Sequence, residues 1–310
     1  MNFKKYPSIE NSYQEKFINK VLCDIPALEI CRYILQEKIH GSNFQVCISK
    51  DGSIRYGKRS SFLEETTSFY GYQEVVHNMI SVFEKIRNNT VLPYNNSITL
   101  YGELFGSNIQ KGVNYGKEKR ILFYDVSVDE QLQPPILLQH LFSNTGLEEC
   151  LVPTIDIVRG LKNAVEYNVE FDSKILGIKD NICEGVVIKP YNNVWFWGKN
   201  LFYLKKKNDR FMEKQKQKKN KQEFSNTVMG LNRQFIGYCN ENRINSVFSK
   251  EGPIQDVKDI GKYIKLVQED AKEDFMKDHG SKLDVITDKK QLNRIFNAGH
   301  YIVKYLRKYV

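Results

Sequence analysis

Short apolar runs, separated by turn residues and by two helical patterns, make up the first part of the chain. Helical spacing of apolar residues predicts a helix that ends near residue 22 and another over about 70–88. Runs rich in β-branched and aromatic residues predict strands; they are EICRYILQ, FQVCIS, SIRYG, ITLYGE, RILFYDV, GVVIKP and LFYLKK. Lys50-Asp51-Gly52, between the second and third runs, predicts a hairpin turn. We therefore predict a mixed α and β domain, and the pattern assigns no chemistry to residues 130–180.

The pattern changes after the last of these strands. Residues 205–221, KKKNDRFMEKQKQKKNK, are dense in lysine and nearly free of apolar side chains. Beyond them apolar residues recur at helical spacing, for example at Val257, Ile260, Ile264 and Val267. Pro253 and Gly280 are interpreted as breaks between helices. We therefore predict a mixed domain at 1–222 and a small all-helical domain at 223–310.

Composition excludes several classes of protein. The chain has 310 residues, of which 41% are hydrophobic, so it can bury a sizeable core and is not predicted to be disordered. It has no stretch of roughly 18 apolar residues that would predict a membrane span, and its N-terminus lacks the apolar segment of a secretory signal. The six cysteines form no Cys-x-x-Cys pair, which argues against a zinc site or a compact disulfide framework. We expect an intracellular protein without a membrane partner, in the cytoplasm or in a host cell if its origin is viral.

The charge of the chain adds a weaker indication. Lysine and arginine number 46 against 37 aspartate and glutamate residues, which gives a formal charge of +9. A basic surface concentrates polyanions, and nucleic acid is the commonest large one. Charge alone does not identify the partner, because many basic proteins bind nothing anionic.

Six short motifs in a fixed order carry the candidate chemistry. They are EKIHGSN at 37–43, GKR at 57–59, YGELFG at 101–106, LFYDV at 122–126, CEGVVIKPY at 183–191 and LKKKNDRF at 204–211. Each places a charged or aromatic side chain at a strand or its end, where it can line a pocket. Any one of them alone is more often an ordinary surface charge or a packed aromatic. Six in order, spread over more than half of the chain, point to one shared site.

Together these motifs resemble the covalent nucleotidyltransferases, which include polynucleotide ligases and messenger-RNA capping enzymes. Within that group the sequence is most similar to the RNA ligase 2 family, which includes phage enzymes and the RNA-editing ligases of kinetoplastid mitochondria. EKIHGSNF resembles the nucleophile motif of that branch, with His40 where DNA ligases usually carry aspartate. FKKYPSIEN near the N-terminus and FGSNIQKGVNYG at 105–116 are also similar to it. The resemblance covers roughly residues 1–215.

The resemblance implies a fold and an activity. The fold is α+β, a nucleotidyltransferase domain of antiparallel, ATP-grasp-like sheets with flanking helices, followed by a small helical domain that engages RNA. The activity is ATP-dependent RNA ligation, in which Lys38 attacks the α-phosphate of ATP, AMP passes to a 5′-phosphate, and a 3′-hydroxyl displaces AMP. Such steps depend mainly on positioning and charge neutralisation. The implied cofactors are ATP and Mg²⁺, with Mn²⁺ as an alternative, and the implied partner is RNA, as a nicked duplex bound by a monomer.

Cations around the nucleophile are part of this expectation. The attacking lysine must be neutral, whereas a free lysine has a pKa of about 10.4. Neighbouring cations lower that pKa, and Lys189, Lys205 and Lys207 are expected to supply them and to neutralise the α-phosphate. The register within Lys205–Lys207 is open in the sequence. We prefer Lys205 and Lys207 because alternate residues of a strand share a face.

The resemblance also implies roles for other motif residues. Glu184 would bind the metal, and Glu103 would lie near the ribose hydroxyls. Arg59 would contact the nucleotide or the RNA end, where its guanidinium can grip phosphate or ribose oxygens. Tyr124 would stack on adenine, and Asn43 would orient phosphate in the later steps.

Two residues beside Lys38 and one segment complete the expectations. Glu37 and Ile39 would place side-chain or backbone groups at the adenine edge. His40 would hold the nucleophile loop, touch the nucleic acid, or be a turn residue satisfied by a backbone hydrogen bond. The lysine-rich segment would follow RNA phosphates or form a solvated helix face.

Three other readings compete with this one. A capping guanylyltransferase would use GTP on the same fold, but such enzymes usually continue into a strand-rich OB domain, whereas residues 225–310 have a helical pattern. The same pattern and His40 oppose a DNA ligase. A non-catalytic RNA-binding protein that retains the fold would be expected to have lost charged motif residues, whereas every position here holds a chemically competent group.

Overall fold

The computed structural model describes residues 2–89, 91, 96–212, 228–284 and 286–310. Contacts between residues divide the chain into two compact units, Met1–Arg210 and Phe211–Val310. The predicted boundary between residues 222 and 223 lies outside the described residues, as does most of the lysine-rich segment. Among the helices of the described ranges, none is long and apolar enough to cross a membrane.

The first unit contains twelve strands and five helices within the described residues. In chain order they are β1 (Glu10–Asn11), α1 (Glu15–Asp24), β2 (Arg32–Glu37), β3 (Ser42–Ile48), β4 (Ile54–Lys58), α2 (Tyr72–His77), α3 (Ile80–Arg87), β5 (Ile98–Phe105), β6 (Arg120–Val128), β7 (Gln131–Leu132), α4 (Pro135–Thr145), β8 (Thr154–Arg159), α5 (Leu161–Glu166), β9 (Gly185–Pro190), β10 (Phe196–Trp197), β11 (Asn200–Leu201) and β12 (Leu204–Lys207). The single helix expected at about 70–88 is two helices, α2 and α3, parted at Asn78 and Met79.

One five-stranded sheet has the order β1-β12-β9-β2-β8. Leu35, Ile188 and Leu204 lie opposite one another on β2, β9 and β12. They are buried in one apolar cluster with residues of α1 and α5. Because successive residues of a strand point to opposite faces, the other face of this sheet carries Lys189, Lys205 and Lys207.

The second five-stranded sheet has the order β4-β3-β5-β6-β7 and is antiparallel throughout. Its buried face, with Phe44, Leu100 and Phe123, packs with apolar residues of α2, α3 and α4. Asn43 and Glu103 lie opposite each other on β3 and β5, with side chains on the other face. The predicted hairpin turn after β3 is confirmed, since the backbone N–H of Ser49 donates to the carbonyl of Ser53 at 2.8 Å.

The second unit is helical, as predicted. Its described helices are α6 (Val228–Ile236), α7 (Glu241–Glu251), α8 (Ile260–Leu283), α9 (Lys289–Ile295) and α10 (Gly299–Leu306). The expected helix break at Gly280 is wrong, because Gly280 lies inside α8. Glycine weakens a helix by only about 1 kcal/mol, and the burial of Val267 and Phe275 along α8 outweighs that cost. Val257, counted above with the helical apolar positions, is 63% exposed in a short 3₁₀ turn.

Candidate active site around Lys38

Lys38 lies directly after β2, in the turn that leads to β3. Its backbone N–H donates to the carbonyl of Gly185 at 2.9 Å, which ties the turn to the start of β9. Three residues later, a Cβ on Gly41 would lie 2.5 Å from the carbonyl oxygen of Leu104. Only glycine allows β5 to approach this closely. The glycine of the Lys-x-x-Gly pattern therefore fixes the turn that positions the Lys38 side chain.

Glu184 is the centre of the charged cluster. Its Oε2 accepts from Lys38 Nζ at 2.8 Å and lies 3.1 Å from His40 Nδ1, while its Oε1 lies 2.9 Å from Lys207 Nζ. Burial alone would raise the pKa of Glu184, but Lys207, Lys38 and His40 outweigh burial and hold that pKa well below its usual range. The Glu184 side chain, 3% exposed, is therefore an anion held between three basic groups.

Gly185 lets the strands close around this carboxylate. Its φ of +146° lies in the region that favours glycine, and a Cβ there would overlap the carbonyl oxygen of Lys206. Strand β12 can consequently lie directly against the Glu184–Gly185 backbone. The backbone N–H of Asn208 donates to the carbonyl of Glu184 at 2.8 Å and holds the same junction.

His40 contacts neighbouring segments through both its backbone and its ring. Its backbone N–H donates to the hydroxyl of Tyr115 at 2.9 Å, and its ring Nε2 lies 3.0 Å from the carbonyl oxygen of Lys111. The other ring nitrogen, Nδ1, lies 3.1 Å from Glu184 Oε2. The three roles considered for His40, in holding the nucleophile loop, in touching nucleic acid or as a turn residue satisfied by a backbone hydrogen bond, stay predictions.

The second sheet supplies the site residues of the earlier motifs. Asn43 donates through Nδ2 to the hydroxyl of Tyr124, and Arg59 lies near enough to Glu103 to affect its ionisation. The pKa of Glu103 is raised to about 8, mainly by burial and further by the nearby charge of Glu184. The cations Lys38 and Arg59 act in the opposite direction. The Glu103 carboxylate of the second sheet therefore lies close to Lys38 and Glu184.

Lys189 is placed differently from the other lysines. Its Nζ donates to Asp125 Oδ2 and to the carbonyl of Tyr124, both at 2.8 Å, and it is 1% exposed. Burial lowers the pKa of Lys189, and Asp125 opposes that shift. Lys189 thus connects the two sheets and is not among the cations that contact Glu184. Its Nζ also lies 5.2 Å from the centre of the Tyr124 ring.

The three consecutive lysines of β12 point to both faces of the sheet. Lys206 Nζ donates to the carbonyls of Val165 and Tyr167, at 2.7 and 2.8 Å, on the side of α5. Lys207 reaches Glu184 on the opposite side, and Lys205 shares its face. The geometry therefore agrees with our preference for Lys205 and Lys207, while their roles stay predictions.

Glu37 and Ile39 are both buried, at 2% and 3% exposed. The two carboxylate oxygens of Glu37 accept from the Ser173 hydroxyl at 2.6 Å and from the Lys174 backbone N–H at 2.8 Å. Burial raises the pKa of Glu37, and these two hydrogen bonds oppose that shift. The carboxylate is thus already engaged by a segment to which the sequence assigned no chemistry.

Sequence reasoning did not assign functions to Asp125, Ser173 and Tyr115. Asp125 had a signal, since a carboxylate inside the apolar run LFYDV needs a buried partner. Tyr115 lies in FGSNIQKGVNYG, a segment that resembles the family without indicating a role for this tyrosine. Ser173 had no signal, because its partner Glu37 is 136 residues away along the chain.

The number of nearby carboxylates bears on the expected metal. Within the described parts of the chain, no group of three or more His, Cys, Asp and Glu side chains is arranged to hold an ion. Mg²⁺ is commonly bound by one or two carboxylates together with substrate phosphates and water. Glu184 remains charged and lies beside Lys38, so a single-carboxylate site of that kind fits these residues.

Two family models and one known ligase are similar to this chain in sequence. The family model described as RNA ligase matches residues 32–211, and the model described as T4 RNA ligase 2 C-terminal matches residues 218–296. The chain is similar to the mitochondrial RNA-editing ligase 2 of Trypanosoma brucei brucei, with 29% identity over 113 residues. That match covers 34% of this chain and 25% of the relative.

Solved structures show the same fold. A mutant of Naegleria gruberi RNA ligase with ATP and Mn has a TM-score of 0.51 and 18% identity, over 68% of this chain and 58% of that one. An apo mutant of the same ligase has a TM-score of 0.51 and 20% identity, over 69% of this chain and 58% of that one. These likenesses confirm the predicted nucleotidyltransferase fold.

Proposed function

Because this chain belongs to the RNA ligase family, we propose that it is an ATP-dependent RNA ligase that carries AMP on Lys38 during its reaction. One observation carries the proposal, namely the cluster in which Lys38, His40 and Lys207 surround the single carboxylate of Glu184. Cations in excess of carboxylates suit a pocket that receives phosphate groups. The match to the T4 RNA ligase 2 C-terminal model supports this reading over a capping enzyme.

In the proposed reaction the Lys38 nitrogen, after losing a proton, attacks the α-phosphorus of ATP. A phosphorus–nitrogen bond forms, the bond to the bridging oxygen of the β-phosphate breaks, and pyrophosphate leaves. An oxygen of an RNA 5′-phosphate then displaces the lysine and takes the AMP. Finally a 3′-hydroxyl attacks that 5′-phosphate, the new phosphodiester forms, and AMP leaves. Lys38 can act only after its ion pair with Glu184 separates.

The surrounding residues have proposed roles in binding the nucleotide. Lys205 and Lys207 neutralise the α-phosphate, and Lys189 supports them by holding the Tyr124 end of the pocket. Tyr124 presents an aromatic face for adenine. Protonated Glu103 is able to donate a hydrogen bond to a ribose hydroxyl, since its pKa is raised to about 8.

The remaining motif residues extend this arrangement. Arg59 binds a phosphate or ribose oxygen of the nucleotide or of the RNA end. Asn43, which already meets the Tyr124 hydroxyl, orients phosphate in the later steps. Glu37 and Ile39 border the adenine edge through their backbone groups, because the Glu37 carboxylate is engaged elsewhere.

Glu184 is the residue that would hold Mg²⁺ or Mn²⁺, together with oxygens of the bound phosphates. When bound, such an ion supplies positive charge to phosphate oxygens and favours pyrophosphate as a leaving group. Structures of the Naegleria gruberi ligase contain Mn with ATP or AMP, which supports this choice of cofactors.

The proposed substrate is RNA with a 3′-hydroxyl and a 5′-phosphate at a nick in a duplex, bound by one copy of the chain. The second unit is proposed to engage this RNA. Its helix α10 exposes Lys304, and Arg307 and Lys308 are exposed directly after it. Residues 289–310 contain no aspartate or glutamate, and Lys308 lies 3.9 Å from Glu241 of α7, so basic side chains outnumber acidic ones there, which supports phosphate binding.

The deciding experiment is transfer of label from ATP to the protein. Protein first stripped of AMP with pyrophosphate is incubated with Mg²⁺ and ATP labelled at the α-phosphate, then denatured and examined for bound label. GTP labelled in the same position and the variant Lys38→Arg, which keeps the charge, serve as controls. We expect label from ATP, none from GTP, and none on Lys38→Arg.

The other outcomes reject the proposal in distinguishable ways. Label from GTP alone would indicate a capping guanylyltransferase. No label from either nucleotide, in a folded protein that binds RNA, would indicate a non-catalytic RNA-binding protein. Adding a nicked duplex RNA and an otherwise identical intact duplex to the labelled protein then tests the acceptor, since only the nick should become sealed.

A further inference from the structure

Two loops outside the charged cluster are hydrogen-bonded to the residues on either side of Lys38. Before Lys38, the Glu37 carboxylate accepts from the hydroxyl of Ser173 and from the backbone N–H of Lys174. After Lys38, the backbone N–H of His40 donates to the hydroxyl of Tyr115. Glu37, Ser173 and Tyr115 are 2%, 1% and 5% exposed, so these hydrogen bonds are made away from water.

The two loops are also bonded to each other. The side-chain amide of Asn181 donates to the carbonyl of Asn114 at 2.8 Å, and its oxygen accepts from the backbone N–H of Asn114 at 2.7 Å. Asn181 in turn accepts through its carbonyl from the backbone N–H of Ser173 at 2.8 Å. Asn114 directly precedes Tyr115 in the chain.

These contacts form a closed path, which we call the loop network (residues 37–40, 114–115 and 173–181). It runs from Glu37 to Ser173, across to Asn181, on to Asn114 and Tyr115, and back to His40. Lys38 lies between its two ends on the chain. A group enclosed by fixed neighbours loses little conformational freedom when it reacts, and a small misplacement of a reacting atom is costly in rate.

We propose that the loop network sets the position of the Lys38 nitrogen, and that Ser173, Asn181 and Tyr115 are positioning residues for the attack on the nucleotide. The inference rests on the proposed function, and it concerns residues that none of the six motifs contains. Ser173 contributes through Glu37 and Tyr115 through His40, so neither needs to touch ATP.

Four single variants and one double variant test the proposal in the full chain. Ser173→Ala removes one hydroxyl, Ser173→Thr retains a hydroxyl, and Tyr115→Phe removes only the oxygen that accepts from His40. The matched control is Ser143→Ala, which removes an exposed hydrogen bond of 2.9 Å between Ser143 on α4 and Glu148 in the turn that follows this helix. Melting temperatures identify any variant that loses its fold.

The first readout is the rate of labelling of Lys38 at saturating ATP, with the KM for ATP measured separately. Loss of one buried hydrogen bond should slow labelling about tenfold in Ser173→Ala and in Tyr115→Phe. KM should change by less than about threefold, and Ser173→Thr should recover most of the rate. The two changes should not be additive, because both open the same network. Adding Tyr115→Phe to Ser173→Ala should therefore slow labelling further by clearly less than the roughly tenfold effect of Tyr115→Phe alone.

The second readout is hydrogen exchange of the backbone amides of residues 38–41, which needs no ATP and so stays informative if the proposed activity fails. Exchange should be faster in Ser173→Ala and Tyr115→Phe than in wild type and Ser143→Ala. Unchanged exchange and unchanged labelling in folded Ser173→Ala would overturn the proposal. An effect confined to KM, or an equal loss in Ser173→Thr and Ser173→Ala, would also overturn it.

Discussion

Two charge clusters, one in each unit, both set basic side chains against carboxylates, but in different proportions. In the first unit the ion pairs of the described residues set Glu184 against Lys38, Lys207 and His40. In the second unit Arg243 donates to Asp270 and Asp274, each at 2.7 Å, and Lys250 also pairs with Asp270.

The difference lies in the balance of charge. The second cluster sets two cations against two carboxylates, and each partner satisfies the others. In the ion pairs of the described residues, the first sets one carboxylate against three basic groups, which favours the approach of further negative charge. The balanced cluster joins helices α7 and α8. The unbalanced cluster around Glu184 is suited to binding an anionic ligand. Mutations should therefore affect stability in one cluster and activity in the other.

Removing the arginine of the balanced cluster should have the largest effect. Arg243→Met leaves the partly buried carboxylates of Asp270 and Asp274 without their main partner, and we expect a loss of about 3 kcal/mol of stability in the second unit. Both tryptophans, Trp195 and Trp197, lie in the first unit, so fluorescence follows that unit during urea unfolding. Circular dichroism at the helical minimum follows mainly the second.

Lys250→Met is the control for this change, because the Lys250 side chain is 35% exposed and its loss should cost no more than about 1 kcal/mol. Labelling of Lys38 should persist in Arg243→Met under conditions where the first unit is folded. Equal destabilisation by Arg243→Met and Lys250→Met would mean that Arg243 does not stabilise the second unit through its two carboxylate partners.

Removing one cation from the unbalanced cluster should reduce activity instead. Lys207→Met takes away a charge at the phosphate position, and we expect labelling from ATP to fall about 100- to 1000-fold. Stability should change little, because Lys38 and His40 still face Glu184. Single-turnover labelling measures the effect.

The neighbouring Lys206→Met is the matched control, since Lys206 is bonded to backbone carbonyls on the opposite face. It should label at close to the wild-type rate while losing some stability. A larger activity loss in Lys206→Met than in Lys207→Met would reverse our assignment of the two faces.

Glu103 gives a smaller effect, which depends on pH. Because its folded pKa is raised from 4.5 to about 8, the folded state holds a proton that the unfolded state has released, and stability falls as pH rises through that window. Glu103→Gln stays neutral, so it should be more stable than wild type at about pH 8.5, by on the order of 1–2 kcal/mol, and similar at about pH 5. Urea unfolding at the two pH values measures this.

The same variant should label more slowly at every pH if Glu103 also binds ribose. A stability difference that is the same at both pH values would show that Glu103 is ionised in the folded protein at neutral pH. Glu65→Gln, which replaces an exposed carboxylate, is the control and should leave the pH profile unchanged.

The surface of the second unit should show the smallest effect. Replacing Lys304, Arg307 and Lys308 together by glutamine should weaken binding of duplex RNA. The slope of log affinity against log salt should fall by up to about 0.9 for each RNA phosphate that the protein no longer neutralises. A triple variant of equal charge at other exposed lysines serves as the control, made at Lys258, Lys262 and Lys265. Equal weakening of RNA binding in the two triple variants would show that only net charge matters. Labelling of Lys38 from ATP in the absence of RNA should be unchanged in both variants.

Local patterns predicted most of the described strands. β2, β3, β5, β6 and β9 coincide with apolar runs, because alternation and β-branched residues act within a few positions. Asp51 and Gly52 predicted the turn between β3 and β4, because turn preferences also act within a few positions. The α+β fold class followed from these runs and from the family resemblance.

Features that depend on distant partners were not predictable. Lys189 looked like a free cation until its partner Asp125, 64 residues away, was placed beside it. Gly280 looked like a helix end because the low helix propensity of glycine is a property of that residue alone. The packing that keeps α8 helical through Gly280 depends on residues that are distant in the sequence. The break between α2 and α3 at Asn78 likewise had no strong turn signal in the sequence.

The parallel pairing of β1 with β12 has a consequence for synthesis of the chain. Glu10 and Asn11 lie beside Leu204 and Lys205, so β1 cannot pair until β12, the last described strand of its unit, has left the ribosome. β2 must also wait for its partners β8 and β9, although β3 to β7 can form their sheet earlier. Pairings this far apart are slow to form. A nascent chain should therefore carry a folded second sheet and an open first sheet, and it should acquire its complete lysine pocket late in a single cooperative step.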